Sequence, residues 1–231
     1  MRAQATPSRA RASARFFKTA PGDYGHGDKF LGLSVPQIRA LLRECDFELS
    51  TCEELLRSPW HEARLLALLA MVQLYQRGSP AVRGLVFRSY LANTVRINNW
   101  DLVDSSAEHI VGAQLFGKSH ALLDTLARSP SLWERRIAII ATFYDIKKGR
   151  PHEALRMAKV LLRDEEDLMH KAVGWMLREV GKRCDAAVLR SFLKRHAHAM
   201  PRTALRYAIE HFSKRERATW LGLMAKTRRS I

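Results

Sequence analysis

Apolar residues recur at every third or fourth position along most of this chain, beginning near residue 34. The spacing is clear at Leu65, Leu68, Leu69 and Val72, and the alternation of apolar and polar residues that is typical of strands is nearly absent. Residues at this spacing lie on one face of a helix, where they can be buried together. The sequence therefore predicts an all-α fold.

Proline, serine and glycine indicate where these helices begin and end. Serine followed by proline is typical of a helix start, because serine can cap free backbone N–H groups and proline has no N–H to satisfy. Glycine is typical of a helix end. The predicted starts are Ser34-Val-Pro36, Ser58-Pro59 and Ser129-Pro130, and the glycines near predicted ends are Gly78, Gly117, Gly149 and Gly181. These signals divide the chain into numerous short helices.

Basic residues that open apolar helices recur at a regular interval. Arg136, Lys171 and Arg206 are spaced by 35 residues, and Arg64 precedes Arg136 by 72. This period is typical of paired helices stacked as a HEAT-like solenoid, in which equivalent positions line one concave surface. The basic residues would then form a stripe at helix N-termini, where phosphate is also favoured. The alternative is that they are ordinary solvated residues, and the regular spacing favours a basic groove that binds a duplex.

The charge of the chain indicates a polyanionic partner. Lys and Arg outnumber Asp and Glu by 39 to 23, and the formal net charge of +16 is spread along the whole length. Nucleic acid is the partner class that such a balance favours. A basic ribosome-associated protein, or one that is merely basic, is the alternative, because charge alone indicates no chemistry.

The remaining composition excludes several classes. Cys45, Cys52 and Cys184 have no CxxC spacing, so we expect reduced thiols and no metal site. The longest strongly apolar stretch is about half of a membrane span, so we expect no transmembrane helix. Residues 1–13 are basic and lack acids, which predicts a flexible arm, although transit peptides have a similar composition. Residues 14–231 are predicted to form a single solenoid domain.

Trp100 and Asp104 are the residues that most clearly indicate chemistry. They are four positions apart and would share one helix face. A carboxylate repels phosphate, so an acid in a polyanion-binding surface needs another role. Hydrolysis of an N-glycosidic bond develops positive charge on the sugar, and a nearby carboxylate stabilises that transition state. If alkylation has already made the departing base cationic, it needs no general acid, so Asp104 alone would suffice.

Other residues are candidates for supporting roles. Trp100 and Trp175 could pack on a deoxyribose, and Arg136 could bind a phosphate bidentately. A tryptophan at helical spacing is nevertheless more often a core residue, and Trp60, Trp133 and Trp220 are interpreted that way. Asp101 is interpreted as an acid favoured by the helix dipole, without a catalytic role. The nine histidines are scattered and are interpreted as surface or packing residues. No nucleotide-, metal- or serine-hydrolase motif is present, so no cofactor is expected.

Four segments in order resemble the AlkD-type DNA alkylation-repair glycosylases, a family of HEAT-like helical solenoids. The resemblance covers nearly all of residues 14–222. The segments are Phe30-Leu-Gly-Leu-Ser-Val-Pro36 with Arg39, Trp100-Asp-Leu-Val-Asp104, Trp133-Glu-Arg-Arg136, and Lys171-Ala-Val-Gly-Trp175-Met-Leu-Arg178-Glu179. Each is weak alone, whereas four at these separations are fairly specific.

The resemblance implies an activity and the residues for it. A monomeric enzyme of the bacterial cytosol or nucleoid would remove cationic N3- and N7-alkylpurines from duplex DNA without flipping the base. The aspartate matching Asp104 would stabilise the sugar cation and position the water. The tryptophans matching Trp100 and Trp175 would contact the lesion deoxyribose, and the arginines matching Arg136 and Arg178 would contact the DNA backbone.

One position departs from the family pattern. Relatives often have Ala-Arg-Tyr-Met-Lys in the first helix, where this chain has Ala14-Arg15-Phe16-Phe17-Lys18. Phe16 would therefore lie near the DNA without the tyrosine hydroxyl. Two non-catalytic hypotheses stay open beside the glycosylase: a solenoid that binds damaged, bent or branched DNA, and a scaffold that binds an acidic protein.

Overall fold

The computed structural model describes residues 1–227 and is all-helical over that range, apart from one isolated β-bridge between Lys29 and Trp60. The predicted all-α class is confirmed. In chain order the helices are α1 (Pro7–Phe16), α2 (Val35–Glu44), α3 (Leu49–Leu56), α4 (His61–Arg77), α5 (Pro80–Ala92), α6 (Trp100–Asp104), α7 (Ala113–Leu115), α8 (Ala121–Ala127), α9 (Leu132–Ala141), α10 (Phe143–Lys147), α11 (His152–Val160), α12 (Asp167–Arg183), α13 (Ala186–His196), α14 (Arg202–Ala208) and α15 (Lys214–Thr227). In the described range, no helix is both long and apolar enough to span a membrane.

The sequence signals for helix boundaries agree with these ranges. Ser34 precedes α2, and its side chain and backbone both engage Gln37 in a capping box. The other two predicted starts lie two residues before the first residue of their helices, α4 and α9. Gly117 and Gly149 follow helices with positive φ angles of 73°, a conformation that glycine adopts without strain.

The chain divides into two compact units, Met1–Gln114 and Leu115–Ile231. In the first unit, α4 is the central element and packs against α2, α3, α5 and α6. Twelve of its seventeen residues are buried, so it is enclosed nearly all round rather than on one face only. The single domain predicted for residues 14–231 stays a prediction.

In the second unit, α12 is central and packs against α9, α10, α11, α13 and α14. It lies close against α14 at Gly174, where an added Cβ would be 2.4 Å from the Ala204 carbonyl oxygen. Only glycine fits at that position without moving a backbone. The crossing of the two helices at this glycine thus fixes the register of α12 against α14.

The segment that the sequence predicted to be a flexible arm is largely helical. Pro7 to Ser13 belong to α1, and the Thr6 backbone N–H donates to the Leu31 carbonyl over 2.9 Å. Periodicity did not indicate this helix, because α1 buries none of its residues and so has no apolar stripe.

Candidate active site

Helix α6 presents Trp100 and Asp104 together. The Asn99 side chain caps the helix by accepting from the Trp100 N–H at 2.8 Å. Leu102 and Val103 are fully buried, whereas Trp100 and Asp104 are both half-buried. Because residues four apart share a face, the two side chains lie on the partly accessible side of this short helix.

Asp104 lies close to a buried phenol. The hydroxyl group of Tyr90 is 3.0 Å from that of Ser106, and Tyr90 has no exposed surface. Burial raises the pKa of Tyr90 well above its usual range, and the negative charge of Asp104 adds to the increase. The Asp104 carboxylate therefore lies at the boundary between a low-dielectric interior and the surface.

Trp100 belongs to an aromatic cluster of four rings, Phe16, Phe17, Phe30 and Trp100. Phe17 stacks on Trp100 with a centroid distance of 5.3 Å and on Phe30 at 5.2 Å. Phe16 meets Trp100 edge-on at 5.8 Å and is 65% exposed. Phe17 thus packs on one face of Trp100, and Phe30 lies on the other side of Phe17. The cluster reaches solvent at Phe16.

A buried histidine connects the aromatic cluster to α6. The His61 Nε2 is 2.8 Å from Asp101 Oδ2, and its Nδ1 is 3.0 Å from Asp28 Oδ2. Only an imidazolium can donate to two carboxylates at once. Burial acts to lower the pKa of His61, but the hydrogen bonds to Asp101 and Asp28 outweigh it and raise this pKa to about 9.

The His61 arrangement was not predicted from the sequence. The interpretation of Asp101 as a first-turn acid accounts for part of its role, since its Oδ1 accepts from the Leu102 N–H at 2.9 Å. Its second oxygen binds His61, which lies 40 positions away in the sequence. No local motif marks such a long-range pair.

Arg64 also contacts this network. Its Nη2 is 2.6 Å from Asp28 Oδ1, its Nη1 donates to the Ser58 carbonyl, and the residue is 5% exposed. Burial acts to raise the pKa of Asp28, but the hydrogen bond from His61 and the charge of Arg64 outweigh it, so the pKa is lowered. Arg64, predicted to bind DNA, therefore directs its charge towards Asp28.

The Phe30–Pro36 motif has a structural explanation. Glu62, which is buried, accepts the backbone N–H groups of Leu31, Gly32 and Leu33 at 2.7–3.2 Å. Gly32 has φ +81°, and an added Cβ would lie 2.2 Å from the Thr6 carbonyl oxygen. The motif thus forms a turn around Glu62, on which α1 rests.

In the second unit, three of the predicted DNA-binding residues line a single basic cleft. Its cationic residues are Lys171, Arg178, Arg206, Lys214 and Arg217. Two acids, Asp167 and Glu210, also line it and pair with Lys171 at 2.7 Å and with Arg178, respectively. Arg206 is exposed.

The two remaining candidates of the second unit are less accessible. Arg136 is 4% exposed and donates to the Leu168 carbonyl at 2.6 Å. Trp175 is half-buried and packs on Phe143 with a centroid distance of 5.7 Å. Among the described residues, no group of three or more His, Cys, Asp or Glu side chains could hold a metal ion.

The sequence profile described as DNA alkylation repair enzyme matches residues 1–212. The chain therefore belongs to the DNA alkylation repair enzyme family.

A solved structure described as a predicted DNA alkylation repair enzyme from Enterococcus faecalis has a similar fold, with a TM-score of 0.69. The two are 20% identical, and the match covers 91% of this chain and 98% of that one. At this identity the likeness shows the fold alone. No curated protein matches the sequence.

Proposed function

We propose that this protein is a monofunctional DNA glycosylase that hydrolyses the N-glycosidic bond of cationic N3- and N7-alkylated purines in duplex DNA. The observation that carries the proposal is the pairing of Trp100 and Asp104 on the partly accessible face of α6. Membership of the DNA alkylation repair enzyme family supports a DNA substrate.

Asp104 performs the central step in this proposal. As the bond from the sugar to the cationic base lengthens, positive charge moves from the base to the sugar ring. A carboxylate held beside that ring stabilises this charge more in the transition state than in the ground state. Asp104 also accepts a hydrogen bond from the water that attacks the anomeric carbon, and the proton that this water loses passes through the carboxylate to solvent. The base leaves with the electron pair of the broken bond as a neutral molecule, so no general acid has to protonate it.

The aromatic residues hold the sugar from the backbone side, without extrusion of the base. Trp100 offers a ring face fixed by Phe17, and Phe16 extends this apolar surface outwards. By resemblance to the family, Trp175 of the second unit is assigned a sugar-contacting role as well. Selectivity then comes mainly from the intrinsic lability of cationic nucleotides, because the chain has no evident base-recognition motif.

The DNA backbone is bound by basic residues of the second unit, and the fold proposed for the chain is a HEAT-like solenoid with a basic groove. Lys171, Arg178 and Arg206 contribute through the basic cleft, where Lys214 and Arg217 add to the positive potential. Arg64 and Arg136 are buried, so they act chiefly by fixing the elements that carry the contacts. The working form is a monomer in the bacterial cytosol or nucleoid.

The decisive experiment measures release of 7-methylguanine and 3-methyladenine from duplex DNA under single-turnover conditions. Asp104→Asn should lower the rate at least a hundredfold while preserving or strengthening duplex binding, because it removes a charge that repels phosphate. Asp46→Asn is the matched control, since Asp46 is an exposed acid between α2 and α3. Weaker binding by Asp104→Asn with unchanged turnover would contradict the proposal.

A second candidate is a non-catalytic protein that binds damaged, bent or branched DNA. Phe16 favours it, since the position lacks the hydroxyl found in many relatives. This candidate predicts salt-sensitive binding to the same duplexes with no base release above the spontaneous rate. The wild-type release assay separates the two functions directly.

A further inference from the structure

One side of helix α1 faces the rest of the protein, and the exposed side is basic. The inward positions of the helix and its two flanking residues follow a helical period and are half-buried: Ala10, Ser13 and Ala14, with Thr6 before the helix and Phe17 after it. The other positions of the helix are exposed, and they are Pro7, Ser8, Arg9, Arg11, Ala12, Arg15 and Phe16. The helix is thus docked along one side, with three arginines on the outward surface.

The docking is built from backbone contacts rather than an apolar stripe. The Thr6 N–H donates to the Leu31 carbonyl, and Gly32 lies so close to Thr6 and Ala10 that no Cβ fits between them. Glu62 fixes the same turn from the interior. The arginines of α1 are therefore presented from a defined position.

The charge of this segment is of one sign only. No acid precedes Asp23 in the sequence, and Lys18 follows the three arginines at the end of the helix. Arg9 donates to the Gln37 side chain at 3.3 Å, a neutral partner that leaves its charge uncompensated there. A docked surface with only positive charge fits a polyanion.

The C-terminal end of α1 meets the candidate active site. Phe16, the last residue of the helix, contacts Trp100 edge-on, and Phe17 stacks on the same ring. A strand of nucleic acid whose sugar rests on Trp100 therefore passes directly beside α1. This continuity favours DNA over an acidic protein as the partner of the helix.

We propose that the outward face of α1 is a phosphate-binding surface, on which Arg9, Arg11 and Arg15 hold the backbone of the duplex next to the lesion. The inference rests on the proposed function for its DNA partner. It assigns a binding role to a helix outside the repeated basic stripe. These contacts do not depend on the base sequence of the DNA or on the lesion, because the phosphate group is the same at every nucleotide.

The test compares the salt dependence of duplex binding for wild type and Arg9→Gln/Arg11→Gln/Arg15→Gln. Each phosphate contact contributes about 0.9 to the slope of log K against log salt, so three contacts should reduce the slope by about 2–3. The loss should be equal for undamaged and alkylated duplex. The control triple is Arg57→Gln/Arg77→Gln/Arg88→Gln, which removes the same charge from exposed positions on and beside α3 to α5.

Every outcome decides the inference. A slope reduced only by the α1 triple supports it, whereas equal reduction by both triples, or none, overturns it. Because α1 buries no residue, the triple should fold, and Arg11→Gln/Arg15→Gln repeats the test with the Arg9–Gln37 bond intact. Competition by polyglutamate as strong as by duplex overturns the choice of partner. If wild type binds no duplex, the proposed function fails as well.

Discussion

His61 and Asp101 form a partly buried ion pair, with Nε2 of the imidazole 2.8 Å from Oδ2 of the carboxylate. Asp101 immediately follows Trp100 on α6, and His61 is the first residue of α4. The second carboxylate on His61, from Asp28, belongs to the loop that follows α1. One imidazolium thus connects α4, α6 and this loop.

The His61 ion pairs make stability depend on pH. The folded pKa of about 9 lies above the ordinary value of 6.5, so the folded state holds the proton more tightly. The extra stability is fully present below about pH 6.5 and is lost as pH rises through about 9. We expect the free energy of unfolding, measured in urea, to fall by about 3 kcal/mol more in wild type than in His61→Gln between pH 6 and pH 10.

Asp101→Asn supplies the control for this pH dependence. Asparagine keeps a hydrogen-bond acceptor for Nε2 but removes one of the two charges that raise the pKa of His61. The loss of stability should therefore begin at a lower pH than in wild type. If wild type and His61→Gln had parallel stability curves over this range, the ion pairs would not contribute in the way the geometry indicates.

The helices could be predicted from the sequence because burial imposes a period on it. Ser34 and Pro36 identified the start of α2, and the four-residue spacing of Trp100 and Asp104 correctly implied a shared face. The role of Arg64 could not be obtained in this way. A repeat gives the interval between basic residues but not the direction of each side chain, and a carboxylate such as Asp28 can bind an arginine from 36 positions away.

The structured N-terminal helix could not be predicted for a different reason. α1 is held by the Thr6 and Leu31 backbones and by the absence of a side chain at Gly32. Neither leaves a pattern of apolar residues. The His61 network was equally hidden, because its members are 33 and 40 positions apart and each resembles an ordinary polar residue.

Gly32→Ala tests whether close packing holds α1. The substitution introduces a Cβ that would lie 2.2 Å from the Thr6 oxygen and 2.6 Å from the Ala10 nitrogen, in addition to the strain of φ +81°. We expect a loss of about 2–4 kcal/mol in the free energy of unfolding, or detachment of α1, seen as faster proteolysis after Arg9 and Arg11.

Gly22→Ala is the matched control for Gly32→Ala. Gly22 has a similar φ of +86°, but an added Cβ would meet no atom within 4 Å. The Gly22→Ala substitution therefore introduces only the backbone strain, which costs about 1 kcal/mol. Equal losses in the two variants would show that the contact with α1 contributes nothing.

Gly174→Ala tests the crossing that supports the basic cleft. The new Cβ would lie 2.4 Å from the Ala204 oxygen and 2.6 Å from the Tyr207 Cβ, so α12 and α14 must move apart. Lys171 lies on α12 and Arg206 on α14. We expect unfolding to become easier by about 1–3 kcal/mol and the affinity for undamaged duplex to decrease.

Gly222→Ala controls for the helix propensity of alanine, since Gly222 lies in α15 with no atom within 4 Å of an added Cβ. It should leave the free energy of unfolding unchanged or slightly higher. Unaltered duplex affinity in a destabilised Gly174→Ala variant would mean that the spacing of the two helices does not matter for binding.

Phe16→Ala tests whether the exposed ring acts on the chemistry through Trp100. An edge-on aromatic pair contributes about 0.5–1.5 kcal/mol, and its loss frees Trp100 on its outer side. We expect the single-turnover rate of base release to fall about 3- to 10-fold, with little change in the affinity for undamaged duplex.

Phe16→Tyr should retain the wild-type rate or exceed it, because the ring is kept. Val95→Ala, at a residue that is 77% exposed in the same unit, controls for loss of apolar surface. A rate unchanged in Phe16→Ala would remove Phe16 from the candidate active site while leaving the role of Asp104 untouched.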